Sequence, residues 1–241
     1  MSSRVAVITG AGSGIGAATA RRLAEDGLDV VVTDLPQVID SIDPTDLHPR
    51  CHLFPLDVGD ADGREALVGF VGERFSRVDV LFNCAGVGPN ARLSKISDED
   101  MAFALGINLL GPISLTRQLV PLMIESGGGA IINVSSRAWL GIFGSGIYTM
   151  SKGGLVGFSR ALALELGAHG ITVNAIAPGY IETPLAHTLP AGVLAETMEA
   201  IPVRRGGKPE DIASAVSYLV NEGSYVTGQT LAVCGGRSIS G

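Results

Sequence analysis

Three residues of this 241-residue sequence could together move a proton: Ser136, Tyr148 twelve positions later, and Lys152 four further on. If Tyr148 and Lys152 share a helix, a four-residue step puts them on one face, within mutual reach. A phenol with an ordinary pKa of about 10 is a poor acid or base at neutral pH. A neighbouring ammonium, joined by any further positive charge in the site, favours the phenolate and pulls that value down. A serine hydroxyl opposite the phenol can hold a substrate oxygen while charge builds on it. Tyr–Lys pairs at this spacing are common on helices, so the set gains force only from its surroundings.

The surroundings include a phosphate cradle. An apolar run, VAVIT, leads into Thr9-Gly10-Ala11-Gly12-Ser13-Gly14-Ile15-Gly16 and then into a helical pattern. Glycines permit the tight turn and let backbone N–H groups approach a diphosphate, which the positive end of the helix dipole also favours. Strand, turn and helix occur in the order that a dinucleotide site requires. The next strand, VVVT, ends at Asp34, 18 residues beyond Gly16. A carboxylate there accepts hydrogen bonds from the adenosine ribose hydroxyls and repels a 2′-phosphate. No Lys or Arg lies in the glycine turn or just after Asp34, so NAD is expected rather than NADP.

Short apolar runs position these groups: Val5–Thr9, Val30–Thr33, His52–Leu56, Val78–Asn83, Ala130–Ser135, Thr172–Ala177 and Thr230–Val233. Their near-continuous apolar character fits strands buried on both faces of a parallel sheet. Helical patterns lie between them at Ile15–Asp26, Arg64–Phe75, Asp98–Leu109, Ile113–Glu125, Lys152–Leu166 and Pro209–Val220. The first is stopped by Gly27 and the last is opened by Pro. Strand–helix alternation predicts an α/β fold, a doubly wound parallel Rossmann sheet with helices on both faces. No repeat, charge block or linker divides the chain, so one domain over 1–241 is expected. Leu35–Arg50 holds three prolines and little regular helix. Pro178–Pro202 follows a strand's carboxyl end, where ligands bind such sheets, and is expected to form a substrate lid.

Composition narrows the function classes. Hydrophobic residues make up 46% and charged residues 17%, with 33 glycines, the profile of a compact chain rich in tight turns. A net charge of −7 argues against a nucleic-acid or anionic-membrane surface. Cys51, Cys84 and Cys234 are odd in number and lack metal-ligand spacing, so no metal is expected and the thiols are expected reduced. The N-terminus enters a folded motif directly, and no segment reads as an uninterrupted bilayer span, so a cytoplasmic protein is expected.

The sequence resembles the short-chain dehydrogenase/reductase family along essentially its whole length. The resemblance is carried by TGAGSGIG at Thr9–Gly16, Asp57-Val58, NCAG at Asn83–Gly86 and Asn108. It continues through Ser135-Ser136, YTMSK at Tyr148–Lys152, Asn174, PGYIET at Pro178–Thr183 and the C-terminal YVTGQTLAVCGG. It implies a seven-stranded sheet and a catalytic tetrad of Asn108, Ser136, Tyr148 and Lys152. In that tetrad Tyr148 is the acid/base, Ser136 orients the substrate oxygen, and Lys152 tunes Tyr148 and holds ribose. Asn108 positions a water for a proton relay. The cofactor set implied is Gly10, Ser13, Gly14, Ile15, Gly16, Asp34, Asp57, Val58, Asn83, Ala85, Gly86, Tyr148, Lys152, Pro178, Gly179, Ile181 and Thr183. Within it Asp57 and Val58 lie around adenine, Asn83 near its ribose, and Ile181 and Thr183 at the carboxamide. Asn174 reads better as a residue tying a turn.

The sequence departs from the family in places. Cys84 stands where the family often has Asn, and Cys234 where it often has Asp. The Leu35–Arg50 segment is short, and the Ser136–Tyr148 spacing is one less than the commonest, which leaves Ser135 as the alternative to Ser136. Trp139, Leu140, Ile142 and Phe143, with Tyr180, Ile181, Leu185, His187 and Leu189, suggest a mainly apolar substrate pocket. Arg92, Arg137 and His187 are its candidate polar handles. These features predict an NAD-dependent oxidoreductase acting on a medium-sized secondary alcohol or ketone, and the resemblance implies a dimer or tetramer. The alternatives are a 3-oxoacyl thioester reductase and a non-catalytic dinucleotide-binding regulator.

Overall fold

The computed structural model describes residues 3–88, 91–183 and 191–239. Seven strands form one parallel sheet: β1 (Val5–Thr9), β2 (Asp29–Asp34), β3 (Cys51–Pro55), β4 (Val80–Asn83), β5 (Gly129–Val134), β6 (Ile171–Pro178) and β7 (Thr230–Val233). Their order is β3-β2-β1-β4-β5-β6-β7, every neighbouring pair parallel, which is the doubly wound arrangement expected. The chain moves outward from β1 to β3 and then returns to place β4 beside β1. The reversal opens a crevice at the carboxyl ends of β1 and β4, where such sheets bind ligands.

Alternation along β1 shows why the strands read as apolar on both faces. Ala6 and Ile8 enter one core layer with Leu23, Leu28, Ile212 and Val216, whereas Val5 and Val7 enter another with Leu67, Val71, Leu115 and Leu119. The first layer lies under α1 (Gly14–Glu25) and α8 (Pro209–Asn221). The second lies under α3 (Ala61–Phe75), α5 (Gly111–Glu125) and α6 (Gly146–Leu166). Truncating one fully buried leucine of these layers, such as Leu119, costs about 2–5 kcal/mol.

Two segments differ from the sequence expectation. Helix α6 starts at Gly146, six residues before Lys152, because Gly144 turns the chain at φ +75° and Ser145 then caps a new helix. Tyr148 therefore lies on the helix with Lys152. Second, the patterns Asp98–Leu109 and Ile113–Glu125 are not separate helices. They run together through α4 (Asp98–Leu105), a π-helical turn at Gly106–Leu110, and α5, with Pro112 accommodated in the first turn of α5. This 28-residue helix is long and apolar enough to cross a bilayer, contrary to expectation. Its apolar residues Leu115, Leu119 and Met123 are instead spent in the core. As expected, Leu35–Arg50 holds little regular helix, only a one-turn α2 (Pro36–Ile39) and a 3₁₀ turn at Pro44–Asp46.

The expected lid begins on a fixed base. Glu182 N donates to Gly207 O at 2.8 Å and Gly207 N to Tyr180 O at 3.0 Å. Helix α7 (Ala191–Glu199) lies later in the same stretch. Leu185, His187 and Leu189 fall outside the described residues.

Candidate active site

The glycine turn is built around close approaches. Gly10 adopts φ +66°, and a Cβ there would stand 2.8 Å from the Ala85 backbone. A Cβ on Gly16 would stand 2.1 Å from Gly10 O, so only glycine lets α1 pack this closely against the turn. Ser13 caps α1 without a side-chain hydrogen bond, and no acidic residue occupies the first turn. The positive end of the helix is thus left for an anion. Asp34 is held at the rim by the N–H groups of Gly12 (2.9 Å) and Leu35 (2.8 Å).

Two connected cavities make up the cleft. The larger, about 750 Å³, is lined by Gly10, Ser13, Gly14, Ile15, Gly16, Asp34, Asp57, Val58, Ala85, Gly86 and Thr183 of the expected cofactor set. The smaller, about 240 Å³, brings together Ser136, Tyr148, Lys152, Pro178, Gly179 and Ile181. Ile15, Cys84, Gly86, Val87 and Thr183 line both. No Lys or Arg lines the larger cavity among the described residues. Size, glycine turn and free helix N-terminus all fit a dinucleotide.

Ser136 and Tyr148 are joined by a side-chain hydrogen bond. Ser136 also accepts from Ala138 N at 3.1 Å, capping the 3₁₀ turn Arg137–Leu140 and holding its hydroxyl at the cleft. Ser135 points elsewhere: its hydroxyl donates to Lys152 O at 2.7 Å, a structural bond that fixes α6 against β5. Of the two serines, Ser136 is the one at the phenol. Lys152, 3% exposed, donates from Nζ to Val134 O at 2.8 Å and stands 5.8 Å from the centroid of the Tyr148 ring.

Electrostatics here differ from the expectation. Burial pushes the Tyr148 phenol up, and the bond from Ser136 only partly opposes this. Burial also pulls Lys152 down to about 8, with a nearby Cys84 thiol working the other way. Cys84 itself is pushed up to about 12 by burial, partly offset by Lys152. The chain's own ammonium therefore does not lower the phenol. A desolvated Tyr–Lys pair needs a further positive charge in the cleft to favour phenolate.

Two expected residues do not line the cleft. Asn83, the last residue of β4, is buried, its amide donating to Asn133 Oδ1 (2.8 Å) and Thr116 Oγ1 (3.1 Å). Asn108 is fully buried, and its amide exchanges two 2.8 Å bonds with the backbone of Val87. Its side chain holds the loop that walls both cavities, and the surrounding π turn re-registers the backbone there. Asn174 ties the turn before β7, donating to Val226 O and accepting from Gln229 N, as expected.

Of the polar handles, Arg92 stacks its guanidinium 5.2 Å over Phe143, and Arg137 lines a cavity that adjoins Ser136. Sequence reasoning missed Phe103 and Ile107, which line the larger cavity. Their i, i+4 spacing on the helix carrying Asn108 was the available signal.

A family model described as enoyl-(acyl carrier protein) reductase matches residues 10–238. The (2S)-[(R)-hydroxy(phenyl)methyl]succinyl-CoA dehydrogenase subunit BbsD of Thauera aromatica is 40% identical, the match covering 98% of this chain and 97% of that one. The 3-oxoacyl-[acyl-carrier-protein] reductase FabG of Thermotoga maritima is 37% identical over 99% of both. The crystal structure of a single-substitution variant of actinorhodin polyketide ketoreductase with NADPH superposes with a TM-score of 0.92 at 35% identity, covering 99% of each chain. The chain belongs to the short-chain dehydrogenase/reductase family, and it is an oxidoreductase that binds a nicotinamide dinucleotide.

Proposed function

We propose that the protein uses NAD to interconvert a secondary alcohol and a ketone, with Tyr148 as acid/base. The observation that carries this reading is the meeting of Ser136, Tyr148 and Lys152 at the inner end of a cleft whose outer end is rimmed by Asp34. The carboxylate of Asp34 has no cationic neighbour in that lining, an arrangement that admits a free ribose hydroxyl and opposes a 2′-phosphate. When bound, the dinucleotide supplies or takes up the hydride.

This chain's residues handle the proton. Tyr148 Oη donates it to the carbonyl oxygen in reduction and removes it from the alcohol in oxidation. Ser136, hydrogen-bonded to that phenol, holds the same substrate oxygen. Lys152 is fixed by Val134 O where it can reach a ribose hydroxyl beside Tyr148. Asn108 acts through its grip on Val87, to whose backbone its amide is committed. The exposed apolar side chains Leu110, Ile124 and Leu164 support a homo-oligomer.

Purified protein given NAD and a panel of secondary alcohols should reduce the cofactor, read by absorbance, and should do so less well with NADP. Tight dinucleotide binding with no turnover across the panel, in either direction, sinks the reading in favour of a regulator. A 3-oxoacyl thioester reductase is the second reading, favoured by similarity to FabG. Faster turnover of a 3-oxoacyl thioester with NADPH than of any free alcohol with NAD establishes it instead.

A further inference from the structure

The cleft continues beyond Ser136. A chamber of about 220 Å³ shares Ser136, Pro178, Gly179 and Tyr180 with the catalytic end. Arg137 and Arg237 contribute to its walls, and Ala138, Ile142 and Ile201 make much of the rest apolar. No carboxylate lines it among the described residues. The segment 184–190, PLAHTLP, contains no acidic residue.

Arg137 is the unusual member. Arg22, Arg50, Arg77 and Arg205 each pair with an aspartate. Arg137 is half-buried and makes no side-chain hydrogen bond or ion pair among the described residues, whereas Arg21, Arg117 and Arg160, which also make none there, are exposed. A guanidinium drawn partly out of water is stabilised by a bidentate anion, and its planar fork matches a carboxylate. A basic chamber in a chain of net charge −7 is a local exception that favours an anionic guest. Arg137 also follows Ser136 directly in sequence, at the start of a 3₁₀ turn, so one backbone segment presents both a hydroxyl and a cation.

We propose that the substrate carries a free carboxylate, bound by Arg137 in this chamber while the reacting carbon lies between Ser136 and Tyr148. This rests on the alcohol–ketone reading above and adds the substrate class to it. It refines the mainly apolar pocket expected from sequence: apolar walls with one anion anchor.

The test compares acid with ester. Alongside a wider panel of secondary alcohols, 3-hydroxy-3-phenylpropanoate and its ethyl ester are oxidised by the wild type, Arg137→Gln and Arg137→Lys. The acid should be preferred in kcat/KM. Arg137→Gln should shrink the acid-to-ester ratio by about 10- to 100-fold, the effect of losing one bond to a charged group, and Arg137→Lys should recover part of it. A second readout needs no turnover. Trp139, the chain's single tryptophan, lies in the same 3₁₀ turn, so its fluorescence in the dinucleotide-loaded protein reports binding of 3-phenylpropanoate or its ethyl ester. The acid should bind about tenfold more tightly than the ester, and Arg137→Gln should abolish the difference. Equal handling of acid and ester by the wild type, or an unchanged ratio in Arg137→Gln, overturns the carboxylate assignment and leaves the redox reading standing. Absence of turnover across the whole panel overturns the redox reading and this inference with it.

Discussion

Lys152 stands over the Tyr148 ring, 5.8 Å from Nζ to the centroid, and gives its hydrogen bond to Val134 O. The two residues lie on one face of α6, where the Val134 carbonyl holds the ammonium at 2.8 Å. Tyr148→Phe keeps that ring and deletes the hydroxyl alone. Turnover should fall by about 10²- to 10⁴-fold while dinucleotide binding persists, measured by steady-state kinetics and by titration. Substantial residual activity removes Tyr148 from the acid/base role.

Lys152 should make stability depend on pH. The folded chain releases its proton from about 8, whereas the unfolded chain holds it to the ordinary 10.5. The unfolded state binds more protons across that window, so stability from this group rises with pH there, and the cost of burying the charge is felt below it. Between about pH 7.5 and about pH 9.5, the wild type should gain roughly 2 kcal/mol in urea unfolding relative to Lys152→Met. Cys84 acts oppositely above its ordinary value of 9.0, but it is present in both proteins.

The two adjacent serines should separate cleanly. Ser135→Ala leaves the Lys152 carbonyl without its 2.7 Å partner and should cost about 1–3 kcal/mol, seen as a lower Tm. Ser136→Ala removes the hydroxyl bonded to Tyr148 and should cost about 10²-fold in kcat. A reversed pattern would reassign the substrate contact.

Asp34→Ala removes a carboxylate fixed by two backbone N–H groups. The ratio of kcat/KM with NAD to that with NADP should drop by about tenfold or more, as expected for losing bonds to a charged acceptor. An unchanged ratio in this variant refutes the assignment of cofactor choice to Asp34.

Much of this site was legible because its constraints are local. The glycines at Gly10 and Gly16 mark positions where backbone meets backbone, and Asp34 follows its strand directly. The parallel sheet was legible in continuous apolar runs such as VAVIT. What escaped depended on long-range partners. Asn83 and Asn108 match motif positions, yet the neighbours that claim their amides, Asn133 and Val87, are 50 and 21 residues away in the chain. The start of α6 was hidden by glycines at 144 and 146, and the joining of α4 to α5 by a Gly-Pro pair that the first turn of α5 accommodates. The direction of the Tyr148 shift turned on burial, which no spacing reveals.

Thr9 carries one last implication. Its single hydroxyl oxygen accepts from the N–H groups of both Cys84 and Ala85, each at 3.1 Å, and so stitches the tip of β1 to the tip of β4. The floor beneath both halves of a nucleotide is thereby one rigid piece. Adenylate and nicotinamide mononucleotide, offered separately, should each find their seat ready-made, and neither should improve the other's grip.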